Sequence, residues 1–187
     1  MKFLIVIDMQ NDFISGALGT KEAQAVMPNV VARINQARAN GEQVIFTRDT
    51  HYENTYMNSV EGKHLPVPHC ILNSEGWNLH PDIAATLTGN DILLDKEGFG
   101  AYDLPHFIID RDEDENDPIT EITVIGLCTD ICVIANAVVL KSFFVAPAFP
   151  VEITVDASCC AGVTLESHKR ALESMKTLHI NVINEEG

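Results

Sequence analysis

Short apolar runs rich in β-branched residues recur along the whole chain. They are FLIVI (3–7), QVIFT (43–47), DILLD (91–95), ITVIGL (122–127), EITVD (152–156) and INVI (180–183). Because these runs are mostly continuous rather than alternating apolar and polar, they predict parallel strands that are covered on both faces.

Stretches with helical spacing lie between the runs. In the first of them Val26, Val30, Ile34 and Ala37 repeat on one face, and the stretch ends near Gly41. The others run over 81–87, 131–144 and 164–178. Alternation of strand and helix predicts an α/β fold. We expect residues 1–187 to form a single-domain, three-layer sandwich around a six-stranded, mainly parallel, doubly wound sheet.

Two connections, residues 50–80 and 97–120, are longer than usual, and connections of that length are often functional. The second contains the acidic run DRDEDEND, from Asp110 to Asp117. The run predicts a solvated loop; the alternative, a weak cation site, lacks the glycine and the ligand spacing of a calcium loop.

Composition narrows the class of protein. The 187 residues carry a formal charge of -15, which argues against nucleic acid or an anionic membrane as a partner. The N-terminus is typical of a buried strand rather than a secretory signal, and no apolar run is long enough to span a membrane. The five cysteines are odd in number, so we expect free thiols in a reducing compartment and a soluble, cytoplasmic protein.

Reactive side chains fall where predicted strands end. Asp8, Asp49 and Lys96 follow the first three strands, and Cys132 follows the fourth by one tight turn. Ligands of open parallel sheets bind outside the carboxyl ends of the strands, so these residues are expected to converge. Taken singly, each Asp is more often a helix cap or turn former, and the Cys is more often a packed core residue.

The segment GLCTDICV predicts a strand that ends at Leu127 and a helix that begins near Ile131, with Thr129 or Asp130 as its cap. Cys132 would then lie in the first helical turn. Unpaired N–H groups and the helix dipole at that position lower the pKa of a thiol and offer donors to an oxyanion.

Asp8 and Lys96 complete a working triad with that thiol. A carboxylate can take the Cys132 proton and later give it to a leaving amine, while an ammonium favours both anions. The set predicts acyl transfer through a thioester that water releases. Cys159 and Cys160 are expected to pack beneath the next strand-to-helix turn.

A second group of residues suits a metal ion. Asp49 and His51 form a D-x-H pair, and Glu61, His64 and His69 follow in the long loop. Imidazole and carboxylate ligands suit zinc, iron or manganese. Two ligand sets remain open, Asp with three histidines or two histidines with Glu61, as does the alternative that the loop histidines are merely solvated.

These motifs, in this order, resemble the isochorismatase-like cysteine hydrolases over nearly the whole chain. The matching segments are IDMQNDF, TRDTH, DKEGFGAY, GLCTDICV and DASCCAG. The resemblance implies triad roles for Asp8, Lys96 and Cys132, and an oxyanion hole made by the backbone N–H groups of Cys128 and Cys132. It also implies a cis peptide before Cys128.

Within that family, TRDTH and LPVPHC are similar to the nicotinamidase branch. The resemblance implies a divalent metal (zinc, or iron or manganese) held by Asp49, His51 and His69. EGKHLPVPH is similar to branch members whose fourth ligand is Glu, which favours Glu61 over His64.

The resemblance also implies a substrate. Nicotinamide and water would give nicotinate and ammonia, with the ring held between Phe13 and either Phe99 or Tyr102. Leu65 stands where the branch usually has an aromatic residue, which is a departure from the branch's pattern at the ring pocket. A homo-oligomer is expected by the same analogy. Two alternatives remain: a family hydrolase of N-carbamoyl, ureido or isochorismate substrates, and a non-catalytic binding protein on the same fold.

Overall fold

The computed structural model describes residues 1–111, 117–145 and 151–185. Its strands are β1 (Lys2–Ile7), β2 (Gln43–Asp49), β3 (Ile92–Lys96), β4 (Glu121–Leu127), β5 (Glu152–Ala161) and β6 (Asn181–Ile183). They form one sheet in the order β3-β2-β1-β4-β5-β6, and every neighbouring pair is parallel. The predicted six-stranded α/β sheet is therefore confirmed, and it is wholly rather than mainly parallel.

Helices cover both faces of the sheet. They are α1 (Asn11–Ile14), α2 (Lys21–Ala25), α3 (Met27–Ala39), α4 (Val60–His64), α5 (Pro81–Ala84), α6 (Leu104–Ile109), α7 (Ile134–Phe144) and α8 (Leu165–Thr177). A 3-10 turn spans Tyr56–Asn58, and a π-helical turn spans Thr129–Val133. The prediction for 81–87 was too long, and the prediction for 131–144 missed the π-helical turn that precedes α7.

The core is divided between the two faces by the alternation of side chains along β1. Phe3, Ile5 and Ile7 join a cluster with α7 and α8, while Leu4 and Val6 join a cluster with α3. All five side chains are at most 1% exposed. Because both faces of a parallel strand are buried, an unbroken apolar run such as FLIVI is what β1 requires.

β5 extends five residues beyond its predicted end. An irregularity between Val124 and Gly126 of β4 allows pairing to continue through Gly126 with Cys160 to Leu127 with Ala161. Cys159 and Cys160 therefore lie within the strand, not beneath a strand-to-helix turn as predicted from the sequence. Both are buried, and all five cysteines are free.

Two further expectations concern the outside of the molecule. None of the helices in the described ranges is both long and apolar enough to cross a membrane. Residues 112–116 of the acidic run lie outside the described residues, so the solvated loop stays a prediction. Asp117, at the end of the run, pairs with the N-terminal ammonium of Met1.

Candidate active site

Four predicted residues meet at the carboxyl edge of the sheet. Asp49 and Lys96 are paired in register as the last residues of β2 and β3, and Asp8 follows β1 directly. Cys132 lies in the π-helical turn after β4, which neighbours β1 on its other side. The sheet therefore gathers side chains that are more than a hundred residues apart in sequence.

The Lys96 ammonium is the centre of this group. Its Nζ lies 2.6 Å from Asp8 Oδ2 and 3.4 Å from Asp49 Oδ1, and it donates to Gly98 O at 3.1 Å. The Cys132 Sγ lies 3.6 Å from the same nitrogen. Burial lowers the pKa of Lys96, but the negative charges of its neighbours, chiefly Asp8, raise it by a larger amount. The pKa of Lys96 therefore lies above its usual value. The residue is therefore a permanent buried cation at neutral pH.

Asp8 is fully buried and held from the β2 side. Its Oδ1 accepts the Thr47 hydroxyl at 2.6 Å, and its φ of 48° lies in the left-handed region. Burial raises the pKa of Asp8 above its usual value, while the charge of Lys96 and the hydrogen bond of Thr47 oppose that rise. A carboxylate whose affinity for a proton is increased in this way suits proton exchange with a neighbouring group.

The Cys132 thiol is 5% exposed, and its pKa is shifted in the direction opposite to the one we expected from the sequence. Burial raises the pKa of Cys132 well above its usual value, the negative charge of Asp8 adds to the rise, and Lys96 opposes it. We expected a helix N-terminus to lower it. Burial and the charge of Asp8 therefore favour the neutral thiol over a preformed thiolate.

The backbone before Cys132 has the cis peptide that the resemblance implied, between Leu127 and Cys128. Neither predicted cap serves as one. The Thr129 hydroxyl lies 2.8 Å from His168 Nδ1, and Asp130 Oδ1 accepts the Val163 N–H at 3.1 Å. These contacts tie the turn to α8 and to the connection that precedes it.

The predicted metal ligands form a compact cluster. Ligand atoms of Asp49, His51 and His69 lie within 4.8 Å of one another, and all three residues are buried. His51 Nε2 lies 2.9 Å from Asp49 Oδ2 and 3.6 Å from Glu61 Oε2, and His69 Nε2 lies 3.5 Å from both carboxylates. His64 is exposed; among the described residues neither His64 nor Glu61 belongs to the three-residue group, but Glu61 lies close to both histidine nitrogens. The geometry thus favours Glu61 as the fourth group.

The Nε2 atoms of both histidines face the two carboxylates. His69 Nδ1 lies 2.9 Å from Val67 O, which can only accept, so Nδ1 carries a proton and Nε2 is left as a ligand. Although His51 Nε2 lies 2.9 Å from Asp49 Oδ2, the two atoms do not have the geometry of a hydrogen bond, and the buried Nε2 has no other hydrogen-bond partner among the described residues. A buried polar atom without a partner is costly, and a cation bound between it and the carboxylates would remove that cost.

Sequence reasoning missed two residues that build this cluster. Tyr56 donates to Leu65 O at 2.7 Å and packs edge-on against the rings of His51 and His69. Gln10 holds the Asp49 backbone, since its Oε1 accepts the Asp49 N–H at 2.7 Å and its Nε2 donates to Asp49 O at 2.9 Å. The polar Gln10 within the motif IDMQNDF was the available signal.

A cavity of about 740 Å³ opens onto both the thiol and the metal cluster. Phe13 and Phe99 line it, and Phe13 packs edge-on against His69 with 5.4 Å between ring centroids. Tyr102 is 82% exposed and is not part of the lining. Leu65, the departure noted in the sequence, lies in the cavity wall.

Comparisons with known proteins agree with this arrangement. A family profile described as the isochorismatase domain matches residues 2–186. The nicotinamidase of Escherichia coli (strain K12) is 28% identical over 202 residues, covering 90% of this chain and 86% of that protein. The nicotinamidase structure from Bacillus subtilis is 27% identical with a TM-score of 0.81, covering 98% of this chain and 99% of that one. A pyrazinamidase of Pyrococcus horikoshii, solved in complex with zinc, is 26% identical with a TM-score of 0.77, covering 98% of both chains.

Proposed function

The chain belongs to the isochorismatase family, and from that premise we propose that it is a nicotinamidase, which converts nicotinamide and water to nicotinate and ammonia. The supporting observation is that the Asp49–His51–His69 cluster and the Cys132 thiol line the same cavity. One end of a planar amide can thus be held while the other meets the thiol. The E. coli and B. subtilis nicotinamidases, to which the chain is similar, support the same reaction.

In the proposed mechanism Cys132 is the nucleophile. Asp8 accepts the thiol proton as Sγ attacks the carboxamide carbon, and the backbone N–H groups of Cys128 and Cys132 donate to the oxyanion. Asp8 then gives the proton to the departing nitrogen, which leaves as ammonia, and a thioester remains. Asp8 next removes a proton from water, whose oxygen attacks the thioester and releases nicotinate while Sγ regains a proton.

Lys96 makes that proton exchange possible. Its ammonium lies within 3.6 Å of both Asp8 and Cys132, so it stabilises whichever of the two carries the negative charge. Burial raises the pKa of Asp8 and that of Cys132, so each group holds a proton more firmly than it would in water.

Asp49, His51 and His69, with Glu61, are the residues we propose as holders of a divalent metal. Their nitrogen and oxygen donors suit zinc, and also iron or manganese. When bound, such an ion supplies a Lewis acid that can coordinate the pyridine nitrogen. Phe13 and Phe99 are proposed to contact the two faces of the ring; Tyr102 lies too far outside the cavity for that role.

The direct test is ammonia release across a panel of nicotinamide, pyrazinamide and an N-carbamoyl amino acid, with chorismate-type vinyl ethers assayed separately. Wild type should release ammonia from nicotinamide, Cys132→Ala should release none, and Cys160→Ala, which removes another buried thiol, should keep the activity. Turnover of the carbamoyl compound alone would favour the rival family hydrolases. Binding of nicotinamide without turnover would favour the non-catalytic alternative.

The metal is tested by elemental analysis of the purified protein. We expect about one equivalent of metal in wild type, loss of that metal and of activity in His51→Ala, and retention of both in His64→Ala, which alters an exposed imidazole of the same cavity. Metal-free wild type with full nicotinamide turnover would contradict the ligand assignment.

We propose further that residues 1–187 form one domain, that the enzyme is a homo-oligomer, and that it acts in the cytoplasm on a small-molecule amide. The family match over residues 2–186 supports the first proposal, and five free thiols suit a reducing compartment. Light scattering of the purified chain tests the oligomer.

A further inference from the structure

Asn136 is a fully buried polar residue of the mostly apolar helix α7, and its side-chain amide has partners on both sides. Nδ2 donates to Cys132 O at 2.8 Å and to Phe99 O at 3.0 Å, and Oδ1 accepts the Ala101 N–H at 2.9 Å. Burying an amide is costly unless it is hydrogen-bonded, so these three bonds fix where the amide and its partners lie relative to one another.

The partners belong to two separate parts of the candidate active site. Cys132 carries the thiol, whereas Phe99 and Ala101 lie in the segment that follows β3. The same segment contains Gly98, whose carbonyl accepts the Lys96 ammonium at 3.1 Å. One side chain thus connects the backbone of the thiol to the loop that receives the ammonium, and Lys96 Nζ lies 3.6 Å from Cys132 Sγ.

Packing alone does not account for an asparagine here. The neighbouring buried positions of α7 are Ala137, Leu140 and Phe144, which hold the helix on the sheet by apolar contact. A leucine, which branches at Cγ as asparagine does and is larger, would bury more apolar surface at position 136. The amide adds directional bonds to a loop and to the nucleophile turn, which an apolar side chain could not make.

We propose that Asn136 is a positioning residue that sets the separation of the Lys96 ammonium and the Cys132 thiol. It touches neither substrate nor reacting atoms; it clamps residues 99–101 against the backbone of the nucleophile. The proposal rests on the proposed function only for the choice of assay substrate. Loss of the clamp would slow the chemical step more than it weakens substrate binding.

The test compares three variants. Asn136→Leu keeps the branching at Cγ in a larger side chain and removes all three hydrogen bonds; Asn136→Ser keeps a hydroxyl that can bond the carbonyl four residues earlier but cannot reach the loop. Leu140→Ala, on the same helix, is the control for lost stability. We expect kcat to fall about 10- to 100-fold in Asn136→Leu, less in Asn136→Ser, and with a smaller change in KM, since misplacement of about 1 Å can cost 10²-fold.

A second measurement does not depend on the substrate. The rate at which iodoacetamide labels Cys132, followed by mass spectrometry at pH 8, should fall at least several-fold in Asn136→Leu and stay near wild type in Leu140→Ala. If Asn136→Leu does not fold, Asn136→Ser carries both measurements. The proposal is overturned if the Asn136 variants change kcat and labelling no more than Leu140→Ala does. If wild type releases no ammonia from nicotinamide, the proposed function fails, and the labelling rates still decide the role of Asn136.

Discussion

Gly126 of β4 is the position where a single added methyl group should do most damage to the candidate site. Its φ is +117°, and a Cβ there would lie 2.1 Å from Ile7 O and 2.8 Å from Ile7 N. Ile7 is paired with Gly126 in the sheet and directly precedes Asp8, while Gly126 stands two residues before Cys128. Gly126→Ala therefore forces apart the two strands that carry the acid and the thiol.

The size of the effect follows from these distances. A carbon atom normally approaches a carbonyl oxygen no closer than about 3.3 Å, so β1 and β4 must separate locally by about 1.2 Å. A displacement of about 1 Å in a catalytic arrangement can cost about 100-fold in rate. The unfavourable φ adds about 1–3 kcal/mol of backbone strain to the folded state. We expect kcat to fall about 100-fold and the free energy of unfolding to fall by at least about 2 kcal/mol.

Two other glycines separate the effect of backbone strain from the effect of the steric contact with Ile7. Gly41 also has a positive φ, +74°, but a Cβ there would meet nothing within 4 Å, so Gly41→Ala should lose stability and keep its kcat. Gly89 also has open space around it, and Gly89→Ala should change neither quantity appreciably. Ammonia release measures kcat, and urea denaturation measures stability. A Gly126→Ala enzyme with kcat within twofold of wild type would refute the argument that contact between β1 and β4 sets the site geometry.

Three further predictions concern charge and protonation. Lys96→Met should abolish ammonia release and, by breaking a buried ion pair, lower the free energy of unfolding by about 3–5 kcal/mol at pH 7.5. Because the substitution raises the pKa of Asp8 further, urea denaturation should show this loss of stability shrinking toward pH 5, and a loss that did not change with pH would contradict the prediction. Thr47→Val removes a hydrogen bond that lowers the pKa of Asp8, so the acid limb of the kcat/KM profile should move to higher pH; an unmoved limb would count against Asp8 as the base. Burial lowers the pKa of His168 below its usual 6.5, so the neutral ring stabilises the fold fully above pH 6.5, and this stabilisation is lost as the pH falls. The Tm of wild type should therefore drop more between pH 7.5 and pH 5 than the Tm of His168→Gln, and equal drops in the two proteins would refute this link between His168 and stability.

Much of the fold could be predicted because each strand of a parallel sheet covered by helices must be apolar on both faces. The run FLIVI of β1 satisfies that demand within five residues, and the period of α3 is equally plain. The end of β5 could not be predicted, since it depends on an irregularity in the pairing of β4, which is a property of two strands together. Helices of four to six residues such as α5 and α6 are too short to establish a period.

For the site, strand ends predicted which side chains would converge, because the topology alone brings Asp8, Lys96 and Cys132 to one edge. The direction of the thiol pKa was wrong, since the sequence argument counted a helix end and not the burial around Cys132 or the charge of Asp8. Asn136 was missed for a related reason. A single polar residue in an apolar helix reveals its meaning only when its partners, distant in sequence, are known.

The position of β1 in the centre of the sheet also bears on how the chain folds. One neighbour, β2, begins within about forty residues, but on the other side Lys2 of β1 pairs with Glu121 of β4, a separation of 119 residues. During synthesis, one edge of the most apolar strand must therefore wait for most of the chain before it is paired. Exposed, unpaired strand edges promote association between chains, and distant parallel pairing is slow. We therefore expect the two halves of this sheet to fold as one unit, since each half leaves an unpaired strand edge, at β1 or at β4, until the other is present.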